Sequence, residues 1–289
     1  MIWLGDRRGF LSDWVTQRWV RATGRRVNAT DYAWLDGPAG KTRAIGKEFF
    51  TDYAKDHNFR LVESGSRGLI EDFGRLDGGS IDLGRVALPL KDFYEHTSDY
   101  ELDSWSQWHG FFKPFGIALA VLFSRRLQQL NIPLSSLDSS GGMTSRVLQM
   151  RDREPGQLVQ TAWVRELHAT RNVLYAGSYS ICTVPGYPSR CVKVVFPLPN
   201  GNAIVLMKPE AHADGSFSVT STGSGFGDPG FYFTLHDENG LAWARYVKSL
   251  KEVIHVYAAE PGTVRADHIL WIWGLEFLRL HYRMRAEAK

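Results

Sequence analysis

Arg190 to Met207 reads RCVKVVFPLPNGNAIVLM. Two apolar runs, Arg190–Phe196 and Ala203–Met207, flank Pro199-Asn200-Gly201. Asn-Gly favours positive φ at both central positions of a tight turn, so the stretch predicts a β-hairpin. The same grammar continues on both sides. Further strands are expected at Ala162–Leu167, Leu174–Val184, Phe217–Thr222, Phe231–Leu235, Val264–Trp273 and Leu275–Met284. They are punctuated by Asp214-Gly215, Asn239-Gly240 and Glu260-Pro261-Gly262. Leu241–Tyr257 reads both ways: Trp243, Val247, Leu250, Ile254 and Tyr257 fit a helical stripe, whereas Val253–Tyr257 fits a strand. Strand is favoured for its second half, and the first half stays open.

No helices alternate with these strands, which argues against a doubly wound parallel sheet. The expected class is α+β: an N-terminal helical region followed by a long antiparallel β meander. Closing or strongly curling such a sheet protects its edges, so a barrel-like cup, calycin-like or helix-grip-like, is expected.

The N-terminal part carries helical spacing. Phe10, Trp14, Val15 and Trp19 predict a helix over Gly9–Ala22. Residues 1–26 hold Arg7, Arg8, Arg18, Arg21, Arg25 and Arg26 against Asp6 and Asp13. Such a helix either lies on an anionic membrane surface or docks on the protein through its Trp face, and docking is favoured. A second helix is expected through Ile45, Phe49, Phe50 and Tyr53, and a Gly- and Ser-rich connection over Ser64–Gly84. Helices are then expected over Leu90–Trp105 and Lys113–Leu130. The apolar run Phe115–Phe123 falls short of the roughly 20 residues needed to span a bilayer, so it reads as a core helix. Three regions follow: 1–84 helical and irregular, 85–135 with two core helices, and 136–289 antiparallel β, the last two either separate or one compact unit.

The chain has 289 residues, ten of them Trp, and a formal net charge of +3. That charge is too near neutral to imply nucleic acid as a partner. Cys182 and Cys191 flank an expected turn, and a hairpin there would bring them opposite each other. With no leader-like N-terminus, they are expected as free thiols in the cytoplasm, and the Asn28 sequon is expected to be idle. The histidines follow no metal-ligand spacing, so no metal is expected.

Leu35-Asp36-Gly37-Pro38-Ala39-Gly40-Lys41-Thr42 ends like a phosphate loop but lacks its first glycine. The glycine-rich stretch Gly223–Gly230 leads into a strand rather than a helix, so it is no dinucleotide fingerprint. It reads as a loop at the sheet rim. Ser139-Ser140-Gly141-Gly142 reads as a hinge rather than a nucleophile elbow. No cofactor is expected.

The chemistry-bearing residues collect on the last strands. His281, His255, His268 and Asp267 are the candidate acid–base groups, and only one of the neighbours Asp267 and His268 can point inward. Arg279, Arg245, Tyr175, Tyr179 and Trp271 are candidate ligand-binding residues. Solvated positions on a one-sided sheet and ordinary core tyrosines are the competing explanations. The expected function is binding of a hydrophobic small molecule or lipid in a cavity of the β region. The alternative is a cofactor-independent cyclase, isomerase or hydrolase working in that cavity. A more distant reading is peripheral membrane contact through residues 1–26.

Overall fold

The computed structural model describes residues 11–28, 30–40, 45–109, 112–114, 142–168, 171–237 and 241–287. Helices α1 (Leu11–Thr23), α2 (Phe49–Asp56) and α3 (Leu88–Glu95) are short. Interleaved with them are strands β1 (Arg25–Val27), β2 (Arg60–Val62) and β3 (Tyr100–Trp108). The meander follows as β4 (Met143–Arg151), β5 (Leu158–Leu167), β6 (Val173–Cys182), β7 (Cys191–Leu198), β8 (Gly201–Ala211) and β9 (Phe217–Thr220). It finishes with β10 (Phe231–His236), β11 (Ala242–Tyr246), β12 (Leu250–Ala258), β13 (Thr263–Ile272) and β14 (Leu275–Ala286).

All the named strands belong to one antiparallel sheet, ordered β2-β4-β5-β6-β7-β8-β9-β12-β13-β14-β3. Strand β8 is the branch point: its first half pairs with β10, which carries β11 and β1, and its second half pairs with β9. The sheet curls without closing. β3 comes alongside β4, but among the described residues no ladder joins them. The fold is therefore α+β with a large antiparallel meander, as the turn grammar predicts.

The inner face holds the main core. Leu69, Ile70, Phe73, Leu76, Leu90 and Phe93, from the segment around α3, pack there against Phe217, Val219, Val256, Val264 and Met284. The outer face is covered in two places. α2 places Phe50 and Ala54 on Leu148, Met150, Ala162 and Ala176, and the turn at Ala33–Leu35 places Trp34 and Leu35 on Val195, Ile204 and Tyr232. Burial of these side chains contributes on the order of 1.5–3 kcal/mol each, which explains why such short helices persist.

Several expectations need correcting. The helix expected over Leu90–Trp105 ends at Glu95, and β3 begins at Tyr100. In Tyr100-Glu101-Leu102-Asp103-Ser104 the buried positions are Tyr100, Leu102 and Ser104, a period of two that outweighs the longer aromatic spacing. The first half of Leu241–Tyr257 is strand β11 rather than helix, and β12 takes the second half. Strand β4 was not foreseen. Lys113–Leu130 and Ser139–Gly142 fall largely, and Asn239-Gly240 entirely, outside the described residues.

α1 docks differently from its Trp stripe. Asp13, Gln17 and Val20 are buried, and Gln17 donates to the Pro199 carbonyl, whereas Val15 and Trp19 stay exposed. Trp19 still meets Phe233 edge-on, with 5.8 Å between ring centroids.

The Asn-Gly hairpin is also shifted by one residue. Leu198 pairs with Gly201, so the loop is Pro199-Asn200, and Asn200 takes the positive φ of 59°. Gly201 answers a different need: a Cβ there would lie 2.0 Å from the Thr234 carbonyl oxygen. Close approach of β10, rather than turn geometry, requires that glycine.

Candidate functional site

Alternation decides which groups meet. On β13, Ala266 lies in the inner core, so His268 points inward and Asp267 outward. The four candidate acid–base residues therefore do not share one cavity.

Outside, a row crosses the sheet in register: Ser218 of β9 faces His255, His255 faces Asp267, Asp267 faces His281, and His281 faces Trp105. His281 Nδ1 lies 2.6 Å from Asp267 Oδ1. Ser218 Oγ sits between His255 Nδ1 at 3.0 Å and His212 Nε2 at 2.8 Å. A hydroxyl has one proton, so it donates to one ring and accepts from the other.

The remaining outer positions are tied into surface pairs. Arg279 makes a two-pronged contact with Glu276, at 2.9 and 3.0 Å, which holds the carboxyl of Glu276 below its ordinary range. Arg283 pairs with Asp103 at 2.6 Å. Trp271 faces Lys251 on this side. Arg245 stands apart on β11, where it donates to the Thr23 carbonyl at 2.8 Å.

Inside, the chemistry is concentrated. His268 Nε2 lies 2.8 Å from Glu252 Oε2, and both side chains are largely buried. Tyr175 donates to Tyr179 at 2.6 Å. The two hydroxyls lie on one face of β6, and between them leave one O–H proton for a further acceptor. Around them stand Trp163, Phe196 and Tyr282.

Arg165 of β5 enters the same cluster and is only 5% exposed. Its guanidinium carbon lies 4.4 Å from the Trp163 ring centroid, 4.3 Å from that of Tyr175 and 5.6 Å from that of Tyr282. Burying such a charge costs several kcal/mol. Each aromatic face returns about 0.5–2 kcal/mol. The Nε–H is buried with no hydrogen-bond partner, and the inward carboxylate of Glu252 is taken by His268.

Burial raises the phenols of this cluster. Tyr179 is pushed up to about 12 by desolvation, partly opposed by the charge of Arg165. Tyr175 goes well above its ordinary value and Tyr282 is raised, again with desolvation as the largest cause. All three stay protonated donors across the physiological range.

The inner face is not uniformly packed. Phe217, Val256, Val264 and Met284 are fully buried under the α3 segment. Tyr175, Tyr179, Phe196, Phe231, Ile254 and Tyr282 pack at the same core but remain half-buried. Arg165, Glu252, Trp163 and Tyr282 escaped sequence reasoning as site residues. The readable signal for the first was a charged residue sharing a strand face with Thr161 and Trp163 in an otherwise apolar run.

The other motifs singled out in the sequence lie elsewhere in the fold. Leu35–Gly40 runs from the covering turn to a bridge between Gly40 and Pro199, and Lys41 and Thr42 lie outside the described residues. In the Gly223–Gly230 loop the Asp228 carboxylate accepts hydrogen bonds from Ser224 and Gly225, closing the loop on itself. Cys182 and Cys191 are free thiols directly opposite each other on β6 and β7, and burial pushes Cys191 up to about 12. Among the described residues no group of histidines, cysteines and carboxylates is arranged to hold a metal.

Comparison with known proteins adds one relationship. No family model matches the chain, and no solved structure matches it. It is similar to a Bacillus subtilis (strain 168) protein named uncharacterized membrane protein YndJ, with 26% identity over 242 residues. The match takes in 83% of this chain and 41% of that protein, so the chain spans less than half of its relative's length. This overturns the cytoplasmic expectation. That expectation rested on the N-terminal sequence alone, and the relative carries a membrane-protein name. Among the described residues no helix is long and apolar enough to cross a membrane.

Proposed function

We propose that the protein binds an apolar small molecule or lipid on the inner face of its curled sheet, beyond the floor laid by α3. The observation that carries this reading is the contrast along that face. Aromatic and aliphatic side chains are sealed at the α3 end, but Tyr175, Tyr179, Phe196, Phe231, Ile254 and Tyr282 keep accessible surface at the other. Accessible ring faces with a few convergent polar groups are the usual lining of a ligand site. On this reading the curled sheet acts as a cup, calycin-like or helix-grip-like in use. A lipid ligand also suits the membrane-protein name of the relative.

Native mass spectrometry of the purified protein, followed by organic extraction, tests the proposal. Co-purification of an apolar compound in near-stoichiometric amount is expected. An empty protein that also takes up no added long-chain alcohol or acid sinks it.

A second reading rests on the inward His268–Glu252 pair. A histidine held by a carboxylate beside accessible ring faces has the arrangement of an acid–base catalyst acting without a cofactor. Loss of turnover, with retained ligand binding, in His268→Gln would single out this reading once a substrate is in hand.

A further inference from the structure

We infer that the ligand of the inner face is an apolar molecule ending in a carboxylate, and that Arg165 holds that carboxylate. This deepens the binding reading and rests on it.

Arg165 is missing a partner. It is 5% exposed, yet its Nε–H has no hydrogen-bond partner. Buried donors are almost always satisfied, and a buried guanidinium is almost always met by an anion. The inward-facing carboxylate of Glu252, whose charge acts on Tyr179 and Tyr282 of the same cluster, is engaged by His268 Nε2 at 2.8 Å. Trp163 and Tyr175 meet the guanidinium with their ring faces, and the Tyr282 hydroxyl accepts a hydrogen bond from it without supplying a counter-charge. The unmet donor is Nε–H, which with the Nη–H on the same edge has the shape of a two-pronged fork.

That fork selects the partner. Two parallel N–H donors match the two oxygens of a carboxylate. The Tyr175–Tyr179 pair supplies a further hydroxyl proton near the same guanidinium. Raised phenol pKa values keep these hydroxyls as donors rather than competing anions. Beyond the charged end, Phe196, Phe231 and Ile254 offer apolar surface for the body of the molecule. A buried cation with an unmet donor beside an apolar lining describes a fatty-acid-like ligand better than a neutral hydrocarbon or a sugar.

Calorimetric titration of the full chain with dodecanoate and with 1-dodecanol, both below their aggregation limits, tests this. The wild type is expected to prefer the acid by about tenfold or more. Arg165→Met is expected to remove that preference, bringing the acid down to the affinity of the alcohol. Should Arg165→Met not fold, Arg165→Lys carries the test. It keeps the charge but not the fork, so the preference is expected to shrink without vanishing. Equal wild-type binding of acid and alcohol overturns the carboxylate inference and leaves apolar binding standing. An undiminished acid preference in either variant also overturns it. Binding of neither compound overturns the inference together with the reading beneath it.

Discussion

Arg165 and Tyr282 sit on strands far apart in the sheet order, yet the guanidinium of one lies 5.6 Å from the ring centroid of the other. The contact crosses the interior of the curl. It ties β5 to β14 by a polar group where most such contacts in this core are apolar, and it sets a test of what the charge contributes.

Arg165→Met keeps most of the side-chain volume and removes a buried charge that has no hydrogen-bonded counter-ion among the described residues. Replacements of that kind are neutral or stabilising by about 1–4 kcal/mol in other cores. Arg165→Ala leaves a void among the rings and is expected to cost about 2–4 kcal/mol. Urea unfolding of the two variants checks the pair of outcomes. A Met variant as unstable as the Ala variant would mean that the charge itself holds the curl together.

The His268–Glu252 contact presents the opposite case, a buried pair in which each partner satisfies the other. Glu252 is also anchored through its backbone, whose N–H donates to Ser221 Oγ at 3.0 Å. Removing one partner strands the other, so Glu252→Gln and His268→Asn are each expected to destabilise by about 1–3 kcal/mol. The double variant is expected to lose less than their sum, giving a coupling of about 0.5–3 kcal/mol. Strict additivity in denaturant titrations would show that the pair contributes nothing as a pair.

How much of this was legible follows from what periodicity can carry. Turn residues announced β7, β8, β9, β13 and β14, because Gly, Asn and Pro encode backbone geometry locally. Alternation also fixed that Asp267 and His268 face opposite ways. Strands β3 and β4 were hidden for opposite reasons. β3 follows directly on α3, whose aromatic spacing continues into it, and β4 (MTSRVLQMR) alternates poorly because its second half is buried on both faces. The meeting of Arg165 with Tyr282, and of His268 with Glu252, depends on how far the sheet curls, and no local pattern reports curvature.

The tyrosine cluster predicts a pH response. Phenols ionise near 10 in the unfolded chain, whereas Tyr179 is pushed up to about 12 and Tyr175 and Tyr282 are raised by burial. A raised folded value means the native state keeps a proton that the unfolded state has lost. The stabilising contribution is therefore complete below about pH 10 and falls as pH rises towards the folded values, by about 1.4 kcal/mol per pH unit for each such group. Urea midpoints at pH 8, 10 and 11 are expected to hold and then fall. Tyr179→Phe is expected to flatten the fall. An identical alkaline slope in that variant would show that Tyr179 does not contribute to it.

Trp273 supplies a prediction confined to the turn. It opens the Trp273-Gly274 connection between β13 and β14 with φ at 51°, and Gly274 follows at 81°. Two positive φ values in a two-residue hairpin loop are the preference of Asn-Gly, and a bulky side chain in that region is strained. Trp273 is also 76% exposed, so little packing is lost by replacing it. Trp273→Asn is expected to stabilise the protein by about 0.5–1 kcal/mol, since asparagine tolerates the left-handed region. Trp273→Val is expected to destabilise it by a similar amount or more, because β-branching makes that conformation harder to reach. Thermal unfolding of the two variants reads the sign directly. Should the asparagine variant melt below the wild type, the indole itself is contributing at the hairpin tip by more than the strain it carries.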